Sequence, residues 1–258
     1  MFSDTPLHLI QRDQDLKELV SRLKGVSVLG VDTESDGFHR YQEKVALIQI
    51  SDLENDYIID RLMIQDLQPL QELFFNPNIL KVMHGSDYDI VSLRRDFNFQ
   101  INSLFDTMIA AQFLGTERVG LADLIEQYFG VELDKRYQRH DWSARPLLPE
   151  HLEYARGDTH WLPALQEMLT HKLKKQGRLS YVQEECRLLT LRQWQRRAQD
   201  PSDFYRIKGA KFLNESQQKI LRVLWRFRED QAEILDRPAF KVIPEEVLLM
   251  LAEKSPST

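Results

Sequence analysis

Residues 26–34 read Val26-Ser27-Val28-Leu29-Gly30-Val31-Asp32-Thr33-Glu34. The run through Val31 is apolar and β-branched, which predicts a buried strand, and its polar end carries two carboxylates two positions apart. Side chains at i and i+2 of a strand project from the same face, so Asp32 and Glu34 can share one cation. Strands commonly end in acidic turn residues, and the pair needs further acids nearby before it reads as chemistry. Two more β-branched runs follow, Val45 to Ile50 and Tyr57 to Asp60, and their close spacing predicts an antiparallel start to a sheet. Helical periodicity then appears at Leu67 to Phe75, a short strand at Leu80 to Met83, and a helix from Ser86 to Asp96. Beyond Phe105 the pattern reads as helical throughout. Leu121 to Phe129 closes on Gly130, and Pro149 opens a long helical segment from a favourable first-turn position. The expectation is an α/β domain with a helical tail, joined by a linker near Asp200-Pro201-Ser202-Asp203.

Composition narrows the class. A chain of 258 residues with 42% hydrophobic content suits one substantial domain plus a smaller appendage. Cys186 is the single cysteine and cannot form an internal disulfide, and the first residues lack a signal-peptide pattern, so a cytoplasmic setting is expected. No apolar run approaches the roughly 18 residues of a membrane span, and no membrane partner is expected. The net charge of −6 hides two unlike regions. Residues 1–170 hold 16 Lys and Arg against 28 Asp and Glu, whereas residues 171–258 hold 18 against 12. The acidic part suits divalent cations and the basic part a phosphate backbone, although most such charge runs are solvated helix surface.

Two further acidic motifs provide the company that Asp32 and Glu34 need. His84-Gly85-Ser86-Asp87-Tyr88-Asp89 marks a strand-to-helix junction where Ser86 or Asp87 can cap the helix. At 100° per residue, Asp87 and Asp89 lie about 200° apart, so only one of them can face a given site, and periodicity does not choose. In Tyr154-Ala155-Arg156-Gly157-Asp158 the tyrosine and the last aspartate are four apart and share a helix face. Pro163, lacking an amide hydrogen, predicts a stop or kink just beyond.

Together these stretches resemble the three exonuclease motifs of the ribonuclease D family, the DEDDy group on a ribonuclease H-like (DnaQ-like) fold. The resemblance takes in Val31 to Glu34, Leu47 to Ile50, Lys81 to Gly85, Phe105 to Thr107, Asp141-Trp142, Arg145 to Leu147 and Tyr154 to His160. It implies a mixed sheet and an exonuclease domain over residues 1–170. In this family the second acid stands five residues after the histidine, which selects Asp89. The implied metal ligands are Asp32, Glu34, Asp89 and Asp158, holding two divalent ions, Mg²⁺ or Mn²⁺. Tyr154 then completes the catalytic set as an orienter of the attacking water, because a phenol titrating near ~10 is a poor base at neutral pH. His84 and Tyr88 are candidate contacts to the terminal nucleotide. The implied reaction is release of nucleoside monophosphates from RNA with a free 3′ end, with tRNA precursors the family's usual association. A Werner-type DNA exonuclease and a catalytically silent nucleic-acid-binding scaffold are the alternatives. Leu213 to Ala252 is similar to the opening of the helical domain shared by RecQ-type helicases and ribonuclease D (HRDC), with Arg226 to Asp230, Arg237-Pro238 and Pro244 to Leu249 as landmarks. That places a partial HRDC-like domain over 205–258, after a basic helical linker over 171–204.

Overall fold

Strand β1 (Leu7–Ile10) and helix α1 (Asp13–Leu23) open a computed structural model that describes residues 5–195 and 200–255. The chain forms two compact units, one running to residue 35 and from 44 to 194, the other comprising 36–43 and the chain from 195 on. In the first unit β2 (Val28–Ser35), β3 (Val45–Ser51) and β4 (Asp56–Asp60) follow α1. Next come α2 (Gln71–Phe75), β5 (Leu80–Met83), α3 (Asp87–Phe97), β6 (Leu104–Asp106) and α4 (Thr107–Phe113). Helices α5 (Leu121–Phe129), α6 (Pro149–His160), α7 (Leu162–Lys175) and α8 (Leu179–Thr190) complete it.

The six strands lie in the order β1-β4-β3-β2-β5-β6. β2 pairs antiparallel with β3, and β3 with β4, whereas β1–β4, β2–β5 and β5–β6 are parallel. The sheet is therefore mixed, and the three closely spaced strands β2, β3 and β4 run antiparallel, as their spacing predicts. β3 and β4 are buried along their whole lengths, which explains why both read as near-continuous apolar runs.

Where α6 gives way to α7 at Trp161, the chain presses onto β2. A Cβ at Gly30 would stand 2.6 Å from the carbonyl oxygen of Thr159 and 3.2 Å from Leu162. Only glycine permits that approach, two residues before Asp32. Pro163 sits in the first turn of α7, so the expected stop falls between the helices. Gly130 ends α5 in the left-handed conformation at φ 67°.

The structure differs from the sequence reading in three respects. Residues 130–148 contain no helix, although a helical pattern is expected beyond Phe105. Their aromatic side chains instead build a cluster: Trp142 is 1% exposed and packs with Tyr154, Ala155, Leu47 and Ile58. β1, α1 and β6 are additional elements; the strands span only four and three residues, too short for alternation to stand out, although Leu16, Leu19, Val20 and Leu23 form a regular helical stripe. Finally, α7 runs through residue 170, and α8 sends Val182 and Cys186 into the main core. The basic stretch expected as a helical linker is helical to Thr190, as expected, but packs on the main core instead of linking; residues 196–199 lie outside those described.

The second unit holds 3-10 turns at Asp203–Arg206 and Ala210–Phe212, then α9 (Glu215–Ile234), α10 (Ala239–Val242) and α11 (Glu245–Lys254). Its separate core gathers Phe204, Ile207, Leu213, Leu221, Trp225 and Leu248. Asn214 starts α9 with a reciprocal cap, its side chain accepting from the Gln217 amide at 3.0 Å while Gln217 Oε1 accepts from the Asn214 amide at 3.0 Å. Among the described residues no helix is long and apolar enough to cross a membrane.

Candidate active site

In the β2–β3 register Asp32 stands opposite Gln49 and Glu34 opposite Leu47. The strand's two-residue period turns both acids to the face that α6 covers, where Tyr154 and Asp158 lie one helical turn apart. The fourth acid arrives from the first turn of α3. There Asp87 is exposed and accepts from Arg192 Nη1 at 2.6 Å, while Asp89 is buried and accepts a hydrogen bond from the Thr33 hydroxyl. Of the two aspartates that periodicity leaves equivalent, the fold brings Asp89 to the cluster. Tyr88, about 100° around the helix from it, is half exposed and does not line the cleft.

The turn that delivers Asp89 is held from β6. Asp106, 1% exposed, accepts from the amide of Ser86 at 2.8 Å, the amide of Gly85 at 3.2 Å and the Ser86 hydroxyl at 2.8 Å. The same carboxylate caps α4 by accepting from the amides of Met108 and Ile109. Gly85 adopts φ 62°, which its lack of a Cβ makes cheap. Thr107 donates its hydroxyl hydrogen to the Met83 carbonyl at 3.1 Å, so at its 2.9 Å contact with His84 Nδ1 it accepts. His84 therefore carries its proton on Nδ1, and burial lowers its pKa, keeping the ring neutral.

Asp32, Glu34, Tyr154, Asp158 and His84 line one cleft of about 480 Å³, with Asp89 buried behind them. Its other wall comes from the start of α5 and from residues 133–138, including Lys135 and Gln138. Lys135 is the one basic side chain among the described lining residues. Neither residue is anticipated from sequence, because the segment that carries them reads as helical yet is irregular, and it meets the cleft where Tyr137 and Trp142 pack on Tyr154, at ring separations of 5.8 and 5.7 Å.

Burial raises the pKa of all four carboxylates, and neighbouring acids add to it at Asp32, Glu34 and Asp158. Burial lifts Asp32 well above the ordinary range, followed by the charges of Asp89, Asp158 and Glu34; Glu34 rises through burial and then Asp158 and Asp89. Burial pushes Asp89 up to about 6 against the opposing hydrogen bond from Thr33, and burial with the Asp89 charge pushes Asp158 up to about 7. Burial and then Asp158 raise the Tyr154 phenol, which stays neutral. Desolvated like charges of this kind are what bound cations relieve, and an all-oxygen donor set fits Mg²⁺ or Mn²⁺. Among the described residues no group of three or more acidic, histidine or cysteine side chains is gathered closely enough to hold a metal ion by itself. An open arrangement suits ions that retain water and substrate oxygens in their coordination.

Between about pH 4 and pH 7 the folded protein keeps protons on Asp89 and Asp158 that the unfolded chain has released, so without metal its stability falls as pH rises through that window. Melting temperature in chelator, compared between wild type and Asp158→Asn from pH 4.5 to 7.5, is expected to decline more steeply in the wild type. Equal slopes would show that Asp158 carries no such strain.

A 3′-5′ exonuclease family model matches residues 7–174, and an HRDC domain model matches residues 217–258. The chain is 37% identical over 257 residues to the exosome complex component 10 homolog of Caenorhabditis elegans, covering 98% of this chain and 29% of that protein. It thus spans less than a third of that curated relative. Among solved structures it is similar to the catalytic core of RRP6 from Trypanosoma brucei, with TM-score 0.93 and 32% identity over 100% of this chain and 73% of that one. It is also similar to Escherichia coli RNase D, described as an exoribonuclease involved in structured RNA processing, with TM-score 0.74 and 32% identity over 97% and 67% of the two chains.

Proposed function

The chain belongs to the 3′-5′ exonuclease family, in its ribonuclease D branch, and from that membership we propose that it removes nucleoside monophosphates from the 3′ ends of RNA by divalent-metal-dependent hydrolysis. The observation that carries the reading is the cluster of Asp32, Glu34, Asp89 and Asp158 around one cleft, each raised in pKa by burial and all but Asp89 lining it, with Tyr154 beside them. Asp32, Glu34, Asp89 and Asp158 would hold two divalent ions, Mg²⁺ or Mn²⁺, which when bound activate water and neutralise charge developing on the phosphate and leaving oxygen. The neutral Tyr154 phenol orients the attacking water by hydrogen bonding. Neutral His84 offers Nε2 as an acceptor to the terminal nucleotide, and Lys135 offers a cation to a phosphate at the mouth of the cleft.

RNA is favoured over DNA by the likeness to an RNA-processing enzyme at 32% identity, and structured RNA 3′ ends, tRNA precursors included, are the proposed substrates. Incubation with 5′-labelled RNA and a matched DNA strand, with Mg²⁺ or Mn²⁺, tests the reading. The expected result is a ladder of RNA fragments shortening from the 3′ end and slower loss of DNA. Discrete internal cuts, faster DNA digestion, or no products with either ion would overturn it.

A further inference from the structure

Strand β4 begins and ends with an aspartate, Asp56 and Asp60, both at 0% exposure. The two-residue period puts Asp56, Ile58 and Asp60 on one face, roughly 14 Å from first to last. Ile58 packs with Trp142, Tyr154 and Ala155, so this is the face beneath α6. A buried carboxylate is costly unless paired, and its partners reveal what each aspartate holds.

Asp56 Oδ2 accepts from Arg156 Nε at 2.8 Å and Nη2 at 2.5 Å, and His160 Nδ1 lies 2.9 Å away. Ser51 donates its hydroxyl to Oδ1 at 2.6 Å and lies 2.7 Å from the Thr159 hydroxyl. Arg156 and His160 are four apart on α6, about 200° around the helix from Tyr154 and Asp158. Gripping one side of a helix fixes the roll of the other. For a side chain ~6 Å from the axis, 10° of roll displaces its tip by about 1 Å.

Asp60 grips a different element. Arg145 donates to it through both fork arms, Nε to Oδ2 at 2.8 Å and Nη2 to Oδ1 at 2.5 Å, and Gln11 adds a third bond at 3.1 Å. Arg145 Nη1 also donates to the carbonyls of Trp142 at 2.8 Å and Ala144 at 2.7 Å. The fork therefore ties the 131–148 segment to the sheet, and with it the wall that carries Lys135 and Gln138.

We propose that Asp56 and Asp60 are positioning residues that divide control of the cleft: Asp56, through Arg156 and His160, sets the roll of α6 and so the reach of Tyr154 and Asp158, while Asp60, through Arg145, holds the wall against which substrate lies. The inference rests on the exonuclease reading. A misplacement near 1 Å in a reacting group is enough to cost ~10²-fold in rate, so the Asp56 end governs the chemical step and the Asp60 end governs substrate binding.

The test compares wild type, Asp56→Asn, Ser51→Ala and Arg145→Gln below their melting temperatures, by steady-state cleavage of 5′-labelled RNA and by titration with Mn²⁺ followed by electron paramagnetic resonance. Asp56→Asn is expected to lower kcat by ~10- to 100-fold with little change in KM, and to weaken Mn²⁺ binding through displaced Asp158. Ser51→Ala keeps the ion pair and should show the same pattern more weakly, which decides the matter if Asp56→Asn fails to fold. Arg145→Gln is expected to raise KM by ~10-fold, with kcat and Mn²⁺ affinity close to wild type. If Ser51→Ala and Arg145→Gln lower only melting temperature, the aspartates are merely structural. If both change the same constant, the division of labour is wrong. A wild type inactive on RNA and DNA would remove the exonuclease reading instead, and the Mn²⁺ titrations would still decide whether the Asp56 side alone controls the acids.

Discussion

Asp32→Asn is expected to reduce turnover of 5′-labelled RNA by on the order of 10³-fold, about 4 kcal/mol of transition-state stabilisation, while leaving the fold intact. Asn preserves the shape of the side chain and removes its charge. Without metal that charge is unfavourable, because burial and then Asp89, Asp158 and Glu34 all oppose it. The metal-free melting temperature at pH 7.5 should therefore stay level or rise. The effect reverses when divalent ion is added: wild type gains stability by mass action, and the variant gains less because its site lacks one charged ligand. Wild-type turnover in a folded Asp32→Asn variant would remove Asp32 from the metal site. A marked loss of metal-free stability would show instead that its carboxylate serves the fold.

Tyr154→Phe is expected to slow single-turnover cleavage by on the order of 10²-fold while leaving stability and Mn²⁺ affinity near wild type. The ring is what packs: it stands 5.7 Å from Trp142 and 5.8 Å from Tyr137, and Phe preserves both contacts. Only the hydroxyl is lost, and with it the orientation of the attacking water. Its burial beside Asp158 holds the phenol protonated, so the residue acts by hydrogen bonding rather than by accepting a proton. The pH–rate profile of the wild type should accordingly show no limb belonging to Tyr154 below pH 9. An unchanged single-turnover rate at saturating Mn²⁺ would take Tyr154 out of the mechanism. Weakened Mn²⁺ binding would make it a support for Asp158.

Both variants concern residues whose pairing is local. Asp32 and Glu34 share a face because a strand repeats every two residues, and Tyr154 and Asp158 share one because a helix repeats every 3.6. Those periods, the stop before Pro163, the start at Pro149 and the αL turn at Gly130 are written within a few residues, so the sequence alone determined them. Periodicity left the Asp87/Asp89 pair open and only the family resemblance selected Asp89; the physical reason is tertiary, since Thr33 meets Asp89 from 56 residues away and Arg192 pairs with Asp87 from 105 residues away. Only packing could bring residues 131–148 to the cleft, since their anchor joins Arg145 to Asp60 across 85 residues. Asp56 and Asp60 looked like ordinary polar strand ends until Arg156, 100 residues on from Asp56, and Arg145 met them. Periodicity records which face a side chain takes on its own element, whereas the identity of the group that meets it depends on how distant elements pack.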